Sequence, residues 1–429
     1  MGSSAIGTPT FQAKTSNILN VSQQSLALIL DATPTIVFRP DFNREDAVIG
    51  KAVNHCVLFK DFATGASTTL ADHIKVGIKS GTIIRIGETF RSFVADTLTS
   101  WVDSSGAAVT ATAGKDYAVY IKVDGNTYIT DVTDGAFPVQ RESTSGQLAS
   151  LVGGFHVGHV AHTAAIASGA VAFSTTNNVD PDGGGALAAS SGMVWSNTML
   201  NKIKMVNAYS LWDMGFMPKN REPRGMAFNG SKWIGIYMLN ANCGTSGNNF
   251  RRLSRYESGL KLASGESATT IPTDPITGSD FPNFNWWSAA EILNQLGGNL
   301  MDEALFTSAA QGVLEATALG GAAVTPTLNE VIDNRFTSWL GLHGMTGCMW
   351  SWGSDSLLRS TTGTDSWKGN DLTGLRGQQY MVWDDSLARV MLGGDRGSGS
   401  NCGSRCSYWY YYPRASSWSR GTRAACDHL

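Results

Sequence analysis

The chain has 429 residues, of which 42% are hydrophobic and only 16% charged, with 48 Gly, 13 Trp, 11 Tyr and 17 Phe. That aromatic load excludes a disordered, solvated chain, and the glycines exclude a heptad coiled coil. A net charge of −3 and a pI near 6.2 give no support to bulk nucleic-acid binding.

Few charges with many glycines and aromatics suit a turn-rich, mostly β protein of two to four domains. No stretch approaches the roughly 20 apolar residues of a membrane span, so no membrane insertion is expected. The start lacks a basic region followed by an apolar run, so no secretory signal is expected. Six cysteines, at 56, 243, 348, 402, 406 and 426, are spread without a CxxC pair, and the seven histidines are scattered. Neither a disulfide-dense scaffold nor a zinc site is expected, and no cofactor is implied.

Residues 1–70 combine a Ser/Gln/Leu stretch at 16–30, a candidate short helix, with an extended-looking run at 35–38. From 71 to 160 the pattern is β. Ile78, Ile83, Ile84 and Ile86 are interrupted by Gly81 and Gly87, as strands joined by tight turns are. Tyr117-Ala-Val-Tyr-Ile-Lys-Val123 and Thr127-Tyr-Ile-Thr-Asp131 flank Asp124-Gly125-Asn126, which predicts a hairpin with a two-residue turn. Residues 150–156 close this module. The small, Gly-rich stretch 161–204 is expected to be a linker. Beyond 205 two helices are predicted, at 286–296 with Trp287, Ala290, Ile292 and Leu293 at near-helical intervals, and at 302–313 with Asp302 in the first turn. After 335, Trp- and Gly-rich segments predict short strands held by long structured loops.

The chemistry concentrates in the last forty residues. Tyr408-Trp-Tyr-Tyr-Tyr-Pro413 lies among Ser, Gly and Arg, the composition of an antibody-like contact surface, in which Tyr supplies contact area at low entropy cost. If extended, Tyr408, Tyr410 and Tyr412 share one face, with Trp409 and Tyr411 on the other. A Tyr-rich edge strand packed on Trp neighbours explains the composition equally well. His343, Asp355 and His428 stand at no hydrolase or metal spacing and are expected to be structural, with Asp427-His428 tying down the C-terminus.

Longer strings are more specific. Asn207-Ala-Tyr-Ser-Leu-Trp-Asp213, Pro223-Arg-Gly-Met226, Gly347-Cys-Met-Trp-Ser-Trp-Gly353, Gly403-Ser-Arg405 and Cys426-Asp-His-Leu429 resemble the major tropism determinants, phage receptor-binding proteins diversified by a retroelement. Residues 390–429 align with that family without a gap. Upstream, Ile78-Lys-Ser-Gly-Thr-Ile83, Asp116-Tyr-Ala-Val-Tyr120 and Val152-Gly-Gly-Phe-His156 resemble its middle domain, so the likeness covers about 75–429.

The resemblance implies a C-terminal α+β domain of C-type-lectin-like, formylglycine-generating-enzyme type at 205–429. It implies a β-sandwich before it and a homotrimer at a tail-fibre tip; residues 1–70, which it does not cover, are expected to be an attachment and trimerisation region that meets other phage tail proteins. It also implies a host cell-surface receptor, protein or glycan, bound through varied positions: Asp395, Gly397, Ser398, Asn401, Tyr408, Tyr410, Tyr411, Ala415, Ser417, Ser419 and Arg420. Their residue types are mostly those an Asn codon yields when its adenines change. Gly403, Ser404, Arg405, Trp409, Pro413, Gly421 and Arg423 would be scaffold, with Trp409 on the buried face of its strand.

Cys402 and Cys406 depart from the family pattern and are expected to be a disulfide or two packed thiols. Three rival readings exist. A formylglycine-generating-type oxidase would use Cys402 and Cys406, but needs an accessible low-pKa thiolate where the neighbours are expected to vary, so no catalytic residue is assigned. A single-stranded nucleic-acid binder would use Arg405, Arg414, Arg420 and Arg423 beside the tyrosines. Only five Arg against two Asp from residue 390 onward fall short of a basic stripe, so no nucleic-acid partner is expected. A bacterial surface-displayed variable protein would share the fold, but no lipobox or signal peptide is visible. A calcium-dependent sugar site needs clustered carboxylates, which these forty residues lack.

Overall fold

The computed structural model describes residues 36–38, 56–62, 69–160, 197–244, 252–265, 267–358, 366–369, 378–381 and 387–429. The attachment region at 1–70, its candidate helix at 16–30 and most of the expected linker lie largely outside the described residues. Within the first, Ile36–Phe38 is a strand, paired antiparallel with Ile83–Ile86.

β-Branched residues between glycines form the strands that this pattern dictates: Val76–Ile78, Ile83–Ile86 and Thr89–Ser92, with reversals at Gly81 and Gly87. Asp116–Lys122 (β1) and Thr127–Asp131 form the hairpin, Tyr120 facing Tyr128 with rings stacked at 5.4 Å. Its turn is wider than predicted. The Gly125 amide donates to the Lys122 carbonyl and the Lys122 amide to that of Asn126, both at 2.9 Å. Of the turn residues only Gly125 has a positive φ, as in a three-residue loop ending in a glycine bulge.

Leu148–His156 (β2) pairs antiparallel with β1 and, on its other side, with Gln140–Glu142 and Trp212–Asp213. Eight of its nine residues are buried, so this sheet is covered on both faces. A smaller sheet of Leu58–Lys60, Val76–Ile78 and Thr97–Leu98 packs nearby, and Leu58, Ile78, Tyr120, Val152 and Phe155 belong to one apolar core. That core continues without a break into Trp212, Trp233, Ile292, Trp352 and Met391.

The expected linker ends in a helix, Asn197–Ile203 (α1), because something holds its end. The fully buried Lys60 ammonium donates to the carbonyls of Asn201, Lys204 and Val206 at 2.6–2.7 Å and to that of Lys202 at 3.3 Å. It thereby closes the negative end of the helix. Burial lowers its pKa well below the ordinary lysine value.

The C-terminal region contains two sheets. One runs in the order Met226–Phe228, Lys232–Gly235, Ala424–Asp427, Asn299–Leu300. The other runs Ser366–Gly369, Gln378–Met381, Ser407–Trp409, Leu387–Leu392, Trp350–Leu358, Arg420–Gly421. Both predicted helices form, Trp286–Gln295 (α2) and Glu303–Ala309 (α3). Asn285 and Ser288 make a capping box on α2, and Asp302 is the N-cap of α3, its carboxylate accepting from Leu305 at 2.6 Å. The buried face of α2 is Ser288, Ala289, Ile292 and Leu293. Trp287, expected on that face, points outward.

Upstream and downstream sheets meet at a buried polar junction. Asp116 contacts His156 Nδ1 at 2.8 Å and accepts from the Gly225 amide at 2.8 Å, while Arg252 lies 3.4 Å from its second oxygen. The far nitrogen of His156 meets the Tyr237 hydroxyl at 2.9 Å. Burial pushes the Asp116 carboxyl up, but His156, Arg252 and the Gly225 amide outweigh it and hold it at about 2. A carboxylate with a depressed folded pKa stabilises the fold above its unfolded value and loses that contribution as the pH falls through the folded one, here on the order of 2 kcal/mol. Asp116→Asn is expected to cost roughly 3 kcal/mol at neutral pH by leaving Arg252 unbalanced. It should also flatten the decline in melting temperature between about pH 4 and pH 2, which calorimetry across that range checks.

Candidate functional surface

The surface is built on three neighbouring strands, Trp350–Leu358 (β3), Leu387–Leu392 (β4) and Ser407–Trp409 (β5). Met391 lies opposite both Trp352 and Tyr408, and Arg420 pairs in parallel with Trp350. β5 ends at Trp409, so the strict alternation expected for 408–412 does not occur. Trp409 is buried as expected, with its indole N–H donating to the Ser407 hydroxyl at 3.2 Å. Tyr411, expected on the Trp409 side, folds back instead: its ring lies 5.6 Å from Tyr408 and 4.7 Å from Tyr410, edge-on to the latter.

Tyr408 is half-buried, stacked on Trp350 at 5.3 Å. Tyr410 is 38% exposed. The Arg420 guanidinium sits 3.5 Å over the Tyr411 ring, a close cation–π contact. Burial lowers its pKa, while Tyr411, Tyr408 and Asp395 pull the other way. Four of the expected contact residues, Tyr408, Tyr410, Tyr411 and Arg420, thus form one cluster. Pro413 is buried, and Ala415 follows in a turn closed by its amide on the Tyr412 carbonyl.

A second loop, 393–406, carries Asp395, Gly397, Ser398 and Asn401. The Asp395 carboxylate accepts from the Gly397 amide at 3.0 Å and from the Ser398 hydroxyl at 2.6 Å, folding the loop on itself. Gly397 is exposed, and Asp395, Ser398 and Asn401 are half-buried.

Two positions depart from the expectation of solvent-facing variation. Ser419 is 8% and Arg420 7% exposed. The Ser419 carbonyl accepts from Trp350, and the Ser417 carbonyl accepts from Gly265, so this segment is stitched to the frame. Ser417 remains half-buried.

The residues expected to be scaffold sit below. Arg423 is buried and gives its N–H groups to the carbonyls of Gly235, Ile236 and His343, with its pKa lowered to about 9 by burial. The Gly421 backbone runs against Met349, leaving no room for a side chain. Ser404 donates its amide to both oxygens of buried Glu315 at 3.1 Å and its hydroxyl to the same carboxylate. At Gly403 a Cβ would stand 1.9 Å from Glu315 Oε2. Arg405 is half-buried beside Asp302, Glu303 and Asp355.

Cys402 and Cys406 are buried free thiols, not a disulfide. Their sulfurs point at the carbonyls of Asp395 and Asn401, and burial pushes the Cys402 thiol far above its ordinary value. A nucleophilic cysteine needs the opposite, an accessible thiol with a lowered pKa. His343 is buried with Nδ1 on the Thr337 hydroxyl, and Asp355 accepts from the Glu303 amide. Asp427 pairs with Lys232, and His428 packs on Phe216, so the last residues are tied to the fold as expected. Among the described residues no three His, Cys, Asp or Glu cluster to hold a metal, and no helix is long and apolar enough to cross a membrane. Glu315, Trp350 and Arg389 escaped sequence reasoning as surface-building residues. Only Trp350 carried a signal, inside the 347–353 string.

A β framework that grips two loops from beneath, one presenting Gly397 and the other Tyr410 and Tyr412 to solvent, is a display scaffold. Its relatives have the same build. The family described as the Mtd second domain matches residues 66–180. A tail fiber receptor-binding protein of Bordetella phage BPP-1 is 30% identical over 374 residues, covering 84% of this chain and 82% of the relative. The solved Major Tropism Determinant U1 variant is 27% identical with a TM-score of 0.59, and the M1 variant 27% with 0.58, each covering 90% of this chain and 88% of its own. Those structures carry a C-type-lectin-like domain, and the mostly β fold here matches them. The chain belongs to the major tropism determinant family.

Two glycines of the loop 393–406, Gly397 and Gly403, test the division between face and frame. At Gly397 the nearest atom to a Cβ is 3.6 Å away. Gly397→Ala should shift stability by no more than ~0.5 kcal/mol. Gly403→Ala, which drives a methyl into Glu315, should cost roughly 3 kcal/mol. Paired urea melts check both.

Proposed function

We propose that this chain is the receptor-binding protein of a phage tail fibre and sets which host cells the virion recognises. The observation that carries the reading is the Tyr408–Tyr410–Tyr411–Arg420 cluster, standing on a frame whose buried groups hold the loops by their backbone. Asp395, Gly397, Ser398, Asn401, Ala415, Ser417 and Ser419 extend that face. The host receptor is a cell-surface protein or glycan, and the positions that touch it are those the retroelement varies.

The mechanism is binding, with no covalent step. The division of labour is attachment to other tail proteins and trimerisation through 1–70, a β domain at 71–160 that strands 36–38, 58–60 and 212–213 also join, a connection at 161–204, and recognition by 205–429. A homotrimer presents three faces and a virion several fibres, so modest single-site affinity rises by avidity. The buried, carbonyl-bonded thiols of Cys402 and Cys406 support a packing role over a catalytic one.

Tyr410→Ala should leave stability within about 1 kcal/mol of the parent, and adding Tyr411→Ala should cost about 2 kcal/mol more by removing the ring under Arg420 without unfolding the chain. The same pair should abolish binding to cells of a susceptible strain, read by flow cytometry with the labelled full chain. Binding that survives the double substitution contradicts the reading.

A further inference from the structure

The aromatic surface extends past the last forty residues, because α2 begins beside them. The Trp286 amide donates to the Pro413 carbonyl at 3.0 Å, and its indole N–H to the Gly353 carbonyl at 2.8 Å. Arg389, the residue just before the 390–429 segment, lays its guanidinium 3.8 Å over the Trp286 ring and 5.9 Å from that of Trp287. The Arg389 amide in turn donates to the Tyr411 carbonyl at 3.2 Å. Trp287 stands edge-on to Trp286 at 4.7 Å and is 54% exposed. Leu387, on the same face of β4 as Arg389, is exposed as well. Trp287, Leu387, Arg389, Tyr411 and Tyr410 therefore form one surface.

Single exposed apolar residues are ordinary, whereas a cluster of them marks an interaction site. This one is preorganised. Two hydrogen bonds and a guanidinium fix Trp286, so Trp287 rests on a rigid base and little freedom is lost on binding. The shape matters too. Trp287 stands 54% exposed at the start of α2, so its indole projects from the surface. A protruding indole beside Tyr and Arg is the anchor composition of protein interfaces. Arg389, half-buried at the edge of the patch, gives it positive charge.

We propose that Trp287, seated on Trp286 and Arg389, is a fixed anchor of the receptor face that inserts into an apolar, carboxylate-bordered pocket of a host-surface protein. The proposal rests on the receptor-face reading. Residues 286, 287 and 389 lie outside the diversified segment, so chains with different variable residues would share the anchor.

The test uses the labelled full chain and a bacterial strain selected for binding it, with Tyr410→Ala as the control for the face itself. Trp287→Ala should lower cell binding about tenfold or more, and Trp287→Phe should restore part of it. Melting temperature and assembly mass by light scattering should stay unchanged. Protease treatment of the cells should remove binding, and periodate should not. If Trp287→Ala binds normally while Tyr410→Ala does not, the anchor is refuted and the face stands. If both bind normally, the receptor face itself fails. A smaller assembly for Trp287→Ala makes the indole a subunit contact and overturns the proposal. Binding that survives protease but not periodate puts a glycan in the site and overturns it equally.

Discussion

The buried carboxylate of Glu315 holds the display loop at Ser404, through that residue's amide and hydroxyl, and touches none of the loop's expected variable side chains. It takes the Ser404 amide on both oxygens, and its bulk occupies the space where a side chain at 403 would go. A charge removed from water is costly unless hydrogen-bonded, so this arrangement holds one conformation and penalises others. Arg423 fixes the frame beneath, giving its guanidinium to the backbone carbonyls of Gly235, Ile236 and His343. Neither grip depends on which side chains the loop presents. That is the physical condition for a surface whose residues can be exchanged.

The same logic recurs between the two halves of the chain. Lys60 holds four carbonyls around the end of α1, and Asp116 gathers His156, Arg252 and the Gly225 amide. Both join segments more than a hundred residues apart. The apolar core is continuous across the same junction, from Val152 and Phe155 to Trp233 and Met391. The C-terminal region is therefore joined to the β domain before it through one continuous core and two buried polar anchors.

Local physics was legible in the sequence, and long-range partnership was not. The isoleucine strands, the 116–131 hairpin and both helices follow from periodicity, propensity and turn chemistry, which act over a few residues, whereas the burial of Trp409 was implied by the family resemblance. The turn around Gly125 came out one residue wider because the twist of the paired strands, not the Asp-Gly pair alone, selects the loop. Trp287 looked like a core residue since its spacing suited the buried face, but the capping box at Asn285 and Ser288 sets the helix phase, and Ser288 took the inner position. Tyr411 left its predicted side because β5 ends at Trp409 and Arg420 draws its ring back. Glu315 could not be found from sequence at all, since its partner lies 89 residues away. The burial of Ser419 and Arg420 comes likewise from their pairing with Trp350, which no local pattern records.

The account stands on the independence of frame and face. Full-length chains should be made with unrelated residues together at Asp395, Gly397, Ser398, Asn401, Tyr408, Tyr410, Tyr411, Ala415 and Ser417, and their melting temperatures compared by calorimetry. A spread within about 5 °C of the parent is the expected result, because these side chains carry little of the fold's stability. Cooperative unfolding lost, or shifted far downward, in most of these chains would show that the face is itself part of the frame and would contradict the account.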